Sequence, residues 1–301
     1  METTSCAALL LHPFRPTIYL DLWVWIRLAK AAQGVPSHPE DLVAIEALRT
    51  ASQAGVAFPL SATHYEELHA VADPRQRLDV ARTMAEISCM RTLRSPSVMV
   101  RHQLKYAMYR HFGRPAFRPV TPEVLGVGVR WAFVGEQGRL PFGSGDEQLV
   151  GKVEKLLPIS LVELNQWAEF RVLAGPRDED VPGLRTRGYD PESVQEKFKS
   201  RISYEVDLAT QIANGAVTRS DLRVIVQARE LSHEHLPQLA ELFAEYNLTI
   251  DGAFGTDPRR AKRNRRAISE FTDSVPSIRV AVDLKHHYFR NAQKPWSSNA
   301  V

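Results

Sequence analysis

Along residues 17–91 the apolar positions switch between short continuous runs and longer stretches with helical spacing. The run Ile18-Tyr19-Leu20 predicts a strand over Thr17 to Leu20. Leu22, Trp23, Ile26, Leu28 and Ala29 follow on one broad helical face, and Gly34, Pro36 and Pro39 close that helix. Leu42, Ile45 and Leu48 mark a second helix ending at Gly55. "VAFPL" is a second short strand, "SATHYEELHAVAD" opens a third helix, and Pro74 stands near the start of a fourth. Strands alternating with helices predict a parallel sheet with helical crossovers.

Beyond residue 91 the pattern changes. Pro96, Pro115, Pro119, Pro122, Pro141, Pro176 and Pro182, with neighbouring glycines, punctuate residues 92–255. Between them lie helical patterns such as "LVELNQWAEFRVLA" and "PESVQEKFKSRISYEVDLATQIANG". This stretch is expected to be a large, mainly helical insertion or subdomain. Residues 256–301 begin with a basic helix, "DPRRAKRNRRAISEFTDS", and continue with a helix after Pro276. The division is therefore 1–91, 92–255 and 256–301.

Composition narrows the class only a little. The chain has 301 residues, 44% hydrophobic, enough for a real core. A net charge of +3 says little until its distribution is known. Two cysteines, Cys6 and Cys89, argue against a disulfide framework. No apolar run is long enough for a membrane span, and the first residues lack the basic region of a secretory signal. A cytoplasmic protein with no membrane partner is expected.

The candidate chemistry lies where the two predicted strands end. Asp21 closes the first; in open α/β sheets functional groups gather at the carboxyl ends of strands. A carboxylate there suits Mg²⁺ or Mn²⁺, and it equally suits a helix N-cap. The second strand leads into Ser61, His64, Glu66 and Glu67. Thr63 and Glu66 have capping-box spacing, which leaves Glu67 without a local partner, on the same side of the helix as His64. Were the strands parallel neighbours, Asp21 and Glu67 would converge, and two carboxylates repel unless a cation lies between them. That is the beginning of a metal site for phosphodiester hydrolysis; the alternative is a solvated helix face.

The segments "IYLDLWVWIRLAKAAQG", "FPLSATHYEELHAVADPRQRLDVARTMAEIS" and "VPSIRVAVDLKHHYFRNAQKPWSSN" resemble the bacterial PIN-like nuclease group, which opens with a Tyr-Leu-Asp-x-x-x-Trp-Ile-x-Leu-Ala pattern. The resemblance covers the opening part and the last stretch of the chain. It implies a three-layer α/β/α fold around a parallel sheet, with 1–91 and 256–301 as the two parts of that domain. It also implies a metal-dependent endoribonuclease that uses Mg²⁺ or Mn²⁺. Asp21 matches the first acidic position of the pattern and Glu67 the second, so these two would be catalytic and metal-binding. The next acidic position, after Trp296-x-x-Asn299, is Ala300, and the sequence stops at Val301. This implies a shortened or degenerate relative, with a sheet incomplete at its C-terminal side. The alternative is a non-catalytic RNA-binding or protein-interaction module.

Arg259, Arg260, Lys262, Arg263 and Arg266 belong to the densest basic run, and 259, 262, 263 and 266 share one helix face. Such a stripe can contact RNA phosphates, or pair with the acidic run Asp178-Glu179-Asp180. A homodimer and a partner chain both stay open. "SHEHL" at 232–236 and His286-His287 lack converging ligand geometry. The glycines at 126 and 143 lack a phosphate-loop pattern, and Ser61 lacks a hydrolase elbow.

Overall fold

Residues 16–113, 120–138, 140, 160–249 and 261–291 are described in this computed structural model. Asp21, extended at φ −73° and ψ 159°, begins α1 (Leu22–Ala32), whose Trp25, Leu28 and Ala29 point inward at helical spacing. Gly34 takes φ +76° just past the helix end. The second helix, α2 (Glu40–Gln53), buries Ile45. It is followed by α3 (Ala62–His69) and α4 (Pro74–Ser88), the latter capped by the Asp73 carboxylate on the Arg75 amide. Cys89 ends α4 in a left-handed conformation at φ 51°. The short strands β1 (Arg91–Leu93) and β2 (Leu125–Val127) flank α5 (Pro96–Phe112) in sequence, and α6 (Val129–Phe133) follows β2. Next come α7 (Leu161–Ala174), α8 (Val181–Arg185), α9 (Pro191–Ala213) and α10 (Leu222–Glu230). A π-helical turn at Leu231–His235 joins α10 to α11 (Leu236–Glu245). The last described helices are α12 (Ala261–Asp273) and α13 (Pro276–Asn291).

Among the described residues the expected three-layer α/β/α parallel sheet does not form. Helix accounts for 68% of the described residues and strand for 4%, too little strand for a sheet to be the central layer. The strands β1 and β2 form a two-stranded antiparallel sheet, with Thr92 opposite Gly126. The two runs read as parallel strands make only isolated parallel bridges, Thr17 to Ala57 and Leu60 to Thr92. Two features explain this. Pro59 has no N–H to donate in the middle of the second run. Ile18 and Tyr19 are 46% and 49% exposed, whereas strands of a parallel sheet are covered on both faces.

Two compact units result: residues 1–98 with 123–195, and residues 99–122 with 196–301. In the first, α1 packs on α2 and α4, and α7 packs on α3 and α4. Trp25, Phe58, Leu60, Tyr65, Leu68, Met84 and Ile87 fill its core. Gly126 lies against Trp131: a Cβ there would come within 2.5 Å of the indole ring. In the second unit α10 packs on α13, and Leu104, Met108, Val226, Phe243, Phe271, Ile278 and Val282 form the core. Lys285 of α13 bridges two carboxylates there, Glu205 at 2.6 Å and the buried Glu230 at 2.8 Å.

Candidate functional site

The first unit brings the end of the Thr17–Leu20 segment against the N-terminal turn of α3. His64, the third residue of α3, makes that junction and is fully buried. Its Nδ1 accepts the Ser61 backbone N–H at 3.0 Å, so the ring proton sits on Nε2, which donates to the Leu20 carbonyl oxygen at 2.8 Å. Burial holds the His64 pKa down, against the opposing pull of the Leu20 carbonyl and the Asp21 charge. The neutral ring is thus a clasp between two chain segments. The Tyr19 ring stacks on it, centroids 5.0 Å apart at 20°.

This clasp positions two carboxylates. Leu20 is held by His64, and Asp21 is the next residue; Glu67 lies three residues after His64, on the same helix. Asp21 occupies the N-cap position of α1, yet its side chain makes no capping hydrogen bond, so the N-cap alternative leaves its carboxylate unused. Glu67 is partly buried on α3. Its pKa is raised, first by burial, then by the negative charge of Asp21 and then of Glu66. Asp21 and Glu67 therefore lie close enough to repel. Tyr19 shares this field: burial raises its phenol pKa, the hydrogen bond with Ser61 (3.2 Å between oxygens) opposes that, and Asp21 and Glu67 raise it further.

The capping box differs from the expected Thr63–Glu66 pair. Ser61 is the N-cap and His64 supplies the reciprocal side chain. Glu66 is free of a capping role and adds to the negative field instead. Among the described residues no group of three or more His, Cys, Asp or Glu side chains is arranged to hold a metal ion.

The basic stripe lies in the second unit. Arg259 and Arg260 fall outside the described residues, as do Trp296, Asn299 and Ala300. Lys262 and Arg263 are on α12. Arg266 is exposed, but its Nε is 2.7 Å from Glu270 Oε1, an ion pair one helical turn apart. His233 and His235 of "SHEHL" diverge: His233 stacks on Tyr204 at 4.1 Å, and His235 Nε2 is 3.6 Å from Glu230.

Sequence reasoning passed over Tyr19 and the clasp role of His64. The available signal was the Ser-x-x-His spacing at a helix start, where His64 takes the place that Glu or Gln holds in a capping box. No helix among the described residues is long and apolar enough to cross a membrane. Compared with protein-family models, curated proteins and solved structures, the chain matches none.

Proposed function

We propose that this chain is a divalent-cation-dependent phosphodiesterase acting on RNA, with Asp21 and Glu67 as the protein ligands of the cation. One observation carries the reading: two carboxylates from separate segments lie within electrostatic reach of each other beside the His64 clasp, and the one on α3 has a raised pKa. The donor set fits Mg²⁺ or Mn²⁺ in kind. Both are hard oxygen ligands, and Mg²⁺ commonly takes one or two carboxylates, keeps several waters and receives substrate phosphate oxygens for the rest. A cation between the carboxylates would also relieve the repulsion that raises Glu67.

When bound, such a cation stabilises charge on a phosphoryl oxygen and acidifies water. The chain's own residues do the positioning. Asp21 and Glu67 hold their separation because His64 ties Leu20 to the start of α3. Tyr19, with its phenol pKa raised, keeps its proton at neutral pH and offers an O–H to a phosphate oxygen. The exposed Arg266 and its basic neighbours in sequence supply salt-sensitive contacts to the RNA backbone.

A second reading is favoured by the lack of a third acidic ligand among the described residues: a non-catalytic module that binds RNA or a partner chain. An RNA-cleavage assay with Mn²⁺, comparing the wild type with Asp21→Asn and Glu67→Gln, separates the two. Metal-dependent cleavage lost in both variants supports the phosphodiesterase. Salt-sensitive RNA binding without cleavage in the wild type supports the module.

A further inference from the structure

In the second unit the chain passes from α10 to α11 through the π-helical turn Leu231–His235. Pro237 gives this irregularity a sequence cause. It has no N–H to offer the His233 carbonyl oxygen four residues back, and its ring crowds that oxygen, so a regular helix cannot run through. His235 leaves helical geometry, at φ −122° and ψ −11°. The wide turn changes which side chains meet. In an α-helix, residues five apart point about 140° away from each other. A π turn closes from i to i+5 and brings such a pair to neighbouring positions. Glu230 and His235 are five apart, and His235 Nε2 lies 3.6 Å from Glu230 Oε1.

This pair belongs to a cluster whose charges do not balance while the imidazole is neutral. Glu230 Oε2 accepts from Lys285 Nζ of α13 at 2.8 Å, and the same ammonium is 2.6 Å from Glu205 of α9. Burial pushes the Glu230 carboxyl up, but its contacts with His235 and Lys285 outweigh burial, and its pKa is lowered. Burial likewise pushes the Lys285 ammonium down, and Glu205 and Glu230 outweigh it. Two negative charges therefore meet one positive charge, with the Glu230 and His235 side chains only 7% and 13% exposed. The charges around the cluster are committed to other partners. Arg201 of α9 forks onto Glu234 at 2.9 and 2.5 Å, and Arg229 of α10 takes Asp207 at 3.4 Å. Glu241 and Glu245 of α11 pair with Arg101, and Asp283 of α13 pairs with Arg223. His233, the other imidazole of the turn, stacks on Tyr204, and His286 and His287 follow Lys285 in sequence. A proton on His235 is the charge placed to balance the second carboxylate.

We propose that His235 is the proton-binding element of a pH-sensitive joint between α10 and α11. With the proton on, attraction to Glu230 completes a balanced cluster of Glu205, Lys285, Glu230 and His235, and fastens the π turn to α9 and α13. With the proton off, Pro237 still imposes the turn, but that fastening is gone. Histidine suits the role because its charge ordinarily changes between about pH 5 and 8. At 3.6 Å the contact is longer than a hydrogen bond, yet close enough for a strong attraction across a largely buried gap once the ring is charged. The joint is independent of the cation reading of Asp21 and Glu67.

The test is an NMR titration of the full chain between pH 5 and pH 8 in EDTA, following the His235 ring protons together with the backbone amides of Leu231–His235 and their hydrogen exchange. The expected result is that these amides shift with the same midpoint as the His235 ring. Their protection, corrected for the intrinsic pH dependence of exchange, should be about tenfold higher at pH 5 than at pH 8, the worth of one charge-assisted hydrogen bond. Glu230→Gln should move the His235 midpoint to lower pH and remove the difference in protection. His235→Asn should remove it as well, whereas His233→Asn should leave it in place. Should Glu230→Gln fail to fold, the wild-type titration and the two histidine variants decide. Amides of the turn that do not follow the His235 ring, equal protection at the two pH values, or a difference that survives His235→Asn would overturn the proposal.

Discussion

His64→Ala tests the scaffold of the acid pair. The substitution removes two hydrogen bonds, from the Ser61 N–H at 3.0 Å and to the Leu20 carbonyl oxygen at 2.8 Å. Each broken bond leaves a backbone group in need of a partner, at about 1 kcal/mol. The fully buried ring also leaves a cavity beneath Tyr19, which adds roughly 1–2 kcal/mol. The expected loss is about 3 kcal/mol, a large share of a typical stability of about 5–15 kcal/mol. Urea denaturation at pH 7.5 should show it as a lower midpoint with an unchanged slope. The loss should also depend on pH. The folded-state pKa of His64 is lowered, so the unfolded chain takes up that proton first. Stability from the neutral ring is present above the unfolded value of about 6.5 and is lost as pH falls through it. The gap between wild type and variant should therefore narrow from pH 7.5 to pH 5. A loss under about 1 kcal/mol, or a gap that does not change with pH, would refute the clasp.

Glu67→Gln should change metal-free stability in a pH-dependent direction. The raised Glu67 pKa means that the folded chain holds that proton more tightly, so stability is highest at low pH and falls as pH rises through the raised value. The variant should unfold at a higher temperature than wild type at pH 8 in EDTA, with the advantage gone at pH 4, as differential scanning calorimetry would show. Gly126→Ala should cost about 1–3 kcal/mol in chemical denaturation, because its Cβ would overlap the Trp131 ring. Lys285→Met should cost about 3 kcal/mol in the same assay, since it leaves the buried Glu230 without its closest cation. Saturating Mn²⁺ should raise the melting temperature of the wild type by mass action, and that of Asp21→Asn much less.

Much of the helical framework was legible in local spacing. The apolar stripe of α1, the Pro74 start of α4 and the Pro276 start of α13 each depend on neighbours within a turn or two. The sheet was not legible in the same way. Two apolar runs before two helices looked like parallel strands, but Pro59 and the exposure of Ile18 and Tyr19 limit their pairing to single bridges. Sequence pattern does not say whether a short run will be covered by other strands or by helices. At the candidate site, the placement of Asp21 and Glu67 just after two apolar runs was visible in the sequence. The clasp was harder to see, since the partner of His64 is Leu20, 44 residues away. The bridge made by Arg77 was equally hidden, because one of its bonds spans 99 residues to Pro176.

Titrating Mn²⁺ into the wild type, Asp21→Asn and Glu67→Gln, with free Mn²⁺ followed by electron paramagnetic resonance, tests the shared cation site most directly. The account predicts a single saturable site in the wild type that either substitution abolishes. Wild-type protein that takes up no Mn²⁺, or variants that bind it as the wild type does, would contradict it.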